Sequence, residues 1–155
     1  MLALASLVSC AVPEAQDGGA QAQAERRYVP VPDGKLAYTI VNSAGTPAVE
    51  LNLIDERLRR RLVSAGRLGA SGDSTTRSVE IVIEKFMSYD SPNSVQGAMA
   101  GTPITVSTVT VKEAGTGEVV ARFRVESARP DSWTVVRPSV FHADRITDLL
   151  LGQGR

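Results

Sequence analysis

Hydrophobic positions along this chain follow two periods. From Thr46 to Gly66, the residues Leu51, Ile54, Leu58, Leu62 and Ala65 recur at intervals of three and four, which lays one apolar stripe along a helix. Thr46 offers a capping hydroxyl, Pro47 a first helical residue whose missing N–H costs nothing, and Gly66 a left-handed C-terminal cap. Elsewhere the period is two. Leu36, Tyr38 and Ile40 share one side of a strand over 35–41, after an extended approach with Pro30, Pro32 and an Asp33-Gly34 turn. Val79, Ile81 and Ile83 alternate with Glu80 and Glu84 in a strand over 78–88, and 104–112 is rich in β-branched residues. Val119, Ala121, Phe123 and Val125 oppose Arg122, Arg124 and Glu126 in a last strand, and the two glycines of 113–118 make these last two strands a hairpin. Ile146, Leu149 and Leu150 after Pro138 predict a short helix to about Leu151, with Gly152 behind it.

The order β-α-β-β-β-α predicts an α+β fold, a two-layer sandwich with a mostly antiparallel sheet and both helices on one face. Residues 28–155 form its single domain. Trp133 reads as a core or edge anchor, and 88–102, with Pro92, Gly97 and Gly101, as a mobile flap too long for a tight hairpin.

The first nine residues are an uncharged apolar run, too short to cross about 30 Å of hydrocarbon as a helix. Their length and small-residue ending match the apolar core of a secretory signal that lacks its basic start, so 1–9 reads as a signal peptide, possibly truncated. Leu7-Val8-Ser9-Cys10 resembles the bacterial lipobox, with a branched apolar residue at −3, a small one at −1 and cysteine at +1. The resemblance implies that Leu7, Val8 and Ser9 are recognised by the signal peptidase and that Cys10 carries lipid. Two or three acyl chains on Cys10 exceed the threshold for stable attachment. Ala11, where an aspartate would mark retention at the inner membrane, implies the outer membrane with the domain facing the periplasm. Residues 10–27 hold one large apolar side chain, Val12, and form a flexible tether that sets the domain about 20–25 Å from the lipid.

Composition then removes most other chemistries. The chain of 155 residues has 17 Lys and Arg against 17 Asp and Glu, a net charge of zero that gives no footprint for nucleic acid. One cysteine and one histidine exclude disulfide scaffolds and Cys/His zinc sites, and Asp144 and Asp148 beside His142 lack the second histidine of a His-x-x-x-His metal site. No phosphate-binding glycine loop follows a strand, so no cofactor is expected. Ser139, His142 and Asp144 lie close together, but on a helix they point in different directions, and the expectation is no catalysis, with His142 at the surface or half-buried. The one basic cluster comprises Arg57, Arg59, Arg60, Arg61 and Arg67. Asp55 and Glu56 stand four residues before Arg59 and Arg60, which predicts a solvated, ion-paired helix face. The sharper reading makes Arg57, Arg60 and Arg61 a contact face for anions.

Strand 36–41, the helix ending Leu58-Arg-Arg-Arg-Leu-Val-Ser-Ala-Gly66, strand 79–83, Gly97-Ala-Met-Ala-Gly101 and the turn into Thr116-Gly-Glu-Val-Val-Ala121 resemble small periplasmic lipoproteins akin to the curli-secretion lipoprotein domain. That resemblance implies envelope assembly or surface attachment without catalysis, although the chain shows no membrane-inserting hairpin. A second resemblance, by element order, is to the lipoprotein that plugs the lipopolysaccharide-assembly barrel, where the basic helix face would meet lipid phosphates. The expectation is a lipid-anchored, non-catalytic binding or assembly module with an envelope protein partner, engaged through a sheet edge or the 88–102 loop. A periplasmic enzyme or enzyme inhibitor is the third possibility.

Overall fold

Alternation decides which face of each strand is buried, and the sheet follows from stacking those faces in register. The computed structural model describes residues 34–87, 104–128 and 137–153. The signal segment, Cys10, the tether, the 88–102 flap and Trp133 therefore lie outside the described residues. The elements are β1 (Lys35–Asn42), α1 (Ala48–Ser64), β2 (Thr76–Phe86), β3 (Ile104–Lys112), β4 (Val119–Ala128) and α2 (Pro138–Leu150). The strands lie side by side in chain order. β1 and β2 are parallel, with α1 as their crossover, and β2, β3 and β4 form an antiparallel meander. This is the α+β architecture that the two periods predict.

Rows of matched residues cross the whole sheet. Ile40 pairs with Ile81, Ile81 with Val109 and Val109 with Phe123, while Tyr38, Val79, Val111 and Ala121 make the next row. Ile54, Leu58 and Leu62 of α1 and Ala143, Ile146 and Leu150 of α2 close over these rows in one cluster, so both helices cover the same face. Leu36, Ile54, Leu58, Leu62, Ile81, Ile83, Ile146 and Leu150 are wholly buried. Burying each such side chain is worth about 1.5–3 kcal/mol. The opposite face carries Thr39, Glu80, Glu84, Arg122 and Arg124, and there Glu84 accepts from Thr108 at 2.6 Å and pairs with Arg124 at 3.0 Å.

The start of α1 departs from expectation. Pro47, not Thr46, is the N-cap, and the Thr46 hydroxyl is buried without a hydrogen-bond partner among the described residues. Proline holds the residue before it extended, which sets the Thr46 hydroxyl one position too early to reach the free N–H groups of the first turn. The Asn42 side chain grips Thr46 instead, donating to its carbonyl at 3.0 Å and accepting from its N–H at 2.9 Å. The C-terminal end is as expected. Gly66 takes φ +65°, and the N–H groups of Arg67 and Gly66 reach the carbonyls of Leu62 and Val63 at 2.8 and 2.9 Å. Gly152 closes α2 in the same way, which satisfies carbonyls that a helix end would leave open.

Cross-helix contacts fix direction. Glu50 of α1 faces Arg137 before α2, whereas Arg61 lies 2.8 Å from Asp148, so the two helices run parallel. Their C-terminal ends share one end of the molecule with the start of β1, where the Arg67 side chain bonds the Gly34 carbonyl and the Lys35 amine bonds that of Gly66. Met87 and Ile104, hydrogen-bonded at 2.9 Å, close the opposite end.

Candidate functional site

Arginine at 57, 60 and 61 places three long cationic side chains along one side of α1, because residues three and four apart are neighbours on a helix surface. In the fold all three line one open cleft of about 380 Å³ between the C-terminal ends of the helices. Ser64 and Ala65 form its α1 rim, and Leu151 and Gln153 its α2 rim. The sequence-derived anion-contact residues are thus brought together.

The expected ion pairs within α1 are not what holds these side chains. Asp55 accepts a hydrogen bond from the Tyr38 hydroxyl at 2.7 Å, and among the described residues no ion pair joins Asp55 to Arg59 or Glu56 to Arg60. Burial, followed by the Asp55 bond, pushes the Tyr38 hydroxyl well above its ordinary range. Arg57 instead makes a two-point contact with Asp144 of α2, from Nε at 2.7 Å and Nη2 at 3.1 Å. Arg61 donates to the Asp144 carbonyl at 3.2 Å and pairs with Asp148 at 2.8 Å. The face read as solvated is in half a seam between two helices far apart in sequence. The bond to Asp144 also raises the already high pKa of Arg57. Arg60 is exposed and has no hydrogen bond or ion pair among the described residues.

Sequence reasoning missed Asp144 and Asp148 as partners of the arginines. Their signal was present: aspartates four apart on α2 repeat the spacing of Arg57 and Arg61, so once the helices are parallel the two pairs fall opposite each other.

His142 corrects a second expectation. It is neither at the surface nor half-buried but fully enclosed. Its Nε2 lies 2.7 Å from the Ser107 hydroxyl of β3 and its Nδ1 2.8 Å from the Ser127 hydroxyl of β4. One ring nitrogen donates and the other accepts, so a neutral ring satisfies both serines. Burial, aided by the nearby Arg145 charge, pushes its pKa down to about 4. Ser139 donates to Glu50 and Asp144 holds the arginines, so the three neighbours in sequence serve three different contacts. Among the described residues no group of three histidine, cysteine, aspartate or glutamate side chains could hold a metal ion.

The outer edge of β1 is the remaining feature. At its lower half Leu36 donates to the Arg67 carbonyl at 2.7 Å and accepts from Gly69 at 2.9 Å. Alternate residues of a strand turn their backbone groups to the same side. Tyr38 and Ile40 therefore point theirs outward, and these have no backbone partner among the described residues.

No family model matches this sequence, and no curated protein matches it. Solved structures show similarity to it over most of its length. The PelC dodecamer from Paraburkholderia phytofirmans is similar over 79% of this chain and 89% of its own, at 16% identity and a TM-score of 0.50. A Xanthomonas campestris protein of family DUF330 is similar over 79% and 82%, at 14% identity and a TM-score of 0.49. A minor lipoprotein from Acinetobacter baumannii is similar over 79% and 93%, at 14% identity and a TM-score of 0.43. At 16% identity the likeness to the PelC structure is one of fold.

Proposed function

We propose that this chain is a lipid-anchored envelope lipoprotein whose domain acts as a non-catalytic binding or assembly module on the periplasmic face of the outer membrane. The observation that carries the reading is the placement of the chain's entry into the fold. Gly34 and Lys35 are fixed at one end by Arg67 and Gly66, so the end marked by Met87 and Ile104 and the outward backbone groups of Tyr38 and Ile40 lie away from the residue at which the described chain begins. The dispersal of Ser139, His142 and Asp144 into separate structural contacts supports a role without catalysis. Envelope assembly of the curli-secretion type is one form of this module. Contact with lipopolysaccharide through Arg57, Arg60 and Arg61 is the alternative, and the internal pairing of Arg57 and Arg61 leaves Arg60 as its foremost free cation.

Metabolic labelling with a palmitate analogue tests the anchor: wild type takes up label and Cys10→Ser does not, and an unlabelled wild type would refute it. Affinity capture from detergent-solubilised envelopes tests the module, with a defined outer-membrane protein as the expected partner and only abundant bystanders as the contrary result.

Self-assembly is a second reading, favoured by the outward backbone groups of Tyr38 and Ile40 and by the dodecameric state of the PelC structure. Ile40→Pro removes an outward N–H without touching the bonds of β1 to β2. Light scattering is then expected to show loss of an oligomer, and an unchanged mass for an oligomeric wild type would refute edge pairing.

A further inference from the structure

We propose that the arginine-lined cleft is a membrane-contact site that takes lipid headgroup phosphates from the bilayer holding the chain's anchor. The proposal rests on the anchored reading for its orientation. The tether's arrival point and the cleft share one end of the molecule. Lys35 bonds the carbonyl of Gly66, two residues past Ser64 on the cleft rim. The described chain begins at Gly34, on the Cys10 side of the sequence, so an anchor at Cys10 pulls on this end of the domain.

The donors at this end are suited to phosphate. Arg60 has all its N–H groups free among the described residues, Arg57 keeps Nη1 after its two-point contact with Asp144, and Lys35 keeps two of its three donors. Planar guanidinium groups recognise phosphate with paired donors. Three arginines outnumber the two aspartates of the seam. The negative pole at each helix end, which would repel an anion, is met by the glycine-cap N–H groups and, on α2, by Arg61 held on Asp148. Asp144 then acts as a counter-charge that limits how strongly the cleft draws an anionic surface.

The test uses the full chain with Cys10→Ser, so that no acyl chain contributes, and vesicles of phosphatidylcholine alone or mixed equally with phosphatidylglycerol. Cosedimentation is expected on the anionic vesicles and not on the neutral ones, falling as salt is added. Arg60→Gln is expected to weaken partitioning about fivefold, as one basic residue at an anionic surface contributes. Asp144→Asn is expected to strengthen it by a similar factor by releasing Arg57 and Arg61, a gain that a merely structural role would not produce. Arg122→Gln, on the opposite sheet face, is the control and leaves partitioning unchanged. Equal partitioning of wild type, Arg60→Gln and Asp144→Asn, with circular dichroism showing all three folded, would overturn the proposal. So would calorimetric binding of inorganic phosphate that Arg60→Gln abolishes while vesicle partitioning stays intact, since the cleft would then serve a free anion. An unlabelled Cys10 with an intact vesicle response would sink the anchored reading alone.

Discussion

His142 makes the stability of this domain depend on acid in a calculable way. The ring is wholly buried between Ser107 and Ser127, and its pKa falls from an ordinary 6.5 to about 4. A base whose pKa is lower in the folded state is protonated more readily in the unfolded chain. Unfolding therefore takes up a proton at any pH between the two values, and stability declines as pH falls through that window. The contribution is fully present above pH 6.5 and exhausted below pH 4. Across the window the loss is about 3 kcal/mol, with about 2 kcal/mol of it gone by pH 5. The interval from pH 6.5 to 5 isolates the histidine, because the lowered carboxyls of Glu113, held by Arg77, and Asp73, held by Thr75, act only at more acidic values. Urea denaturation followed by circular dichroism at half-unit steps measures it. His142→Gln, which can still donate to one serine and accept from the other, is expected to flatten the dependence between pH 6.5 and 5 whatever its absolute stability. A wild type whose unfolding free energy stays level over that interval, or a variant with the same slope, would refute the argument.

Three further outcomes follow from packing. Leu58→Ala empties part of a wholly buried site facing the sheet and is expected to cost about 2–5 kcal/mol in the same denaturation assay at neutral pH. Gly69→Ala would place a Cβ 2.6 Å from the Thr76 hydroxyl and 2.8 Å from the Lys35 Cβ, so a loss of about 1–3 kcal/mol is expected as β1 and β2 shift apart. Gly66→Ala meets open space but must adopt φ +65°, and calorimetry is expected to show a smaller loss of about 1 kcal/mol.

The fold was legible because period and burial agreed at nearly every element. Ile54, Leu58 and Leu62 point at the core as their spacing requires, and Val79, Ile81 and Ile83 do so from β2. The site was legible only in part. Position along α1 puts Arg57, Arg60 and Arg61 on one side, but what each meets depends on α2, whose contact with α1 spans 87 positions for Arg57 and Asp144. No local pattern encodes that distance. His142 misled for a related reason: a lone polar residue on a short helix gives no sign of the serines waiting at Ser107 and Ser127, which arrive from two other strands. Thr46 misled through its neighbour, since the proline that marked the helix start also moved the cap by one residue.

The parallel seam between the helices has a consequence for the order of folding. The partners of Arg57 and Arg61, and the lid formed by Ala143, Ile146 and Leu150, all come from α2. Until that element docks, the part of the core that Ala143, Ile146 and Leu150 cover stays open. A chain interrupted before Pro138 would leave this face open, with two unmatched guanidinium groups beside it. Docking of α2 thus completes the core and neutralises the seam in a single step.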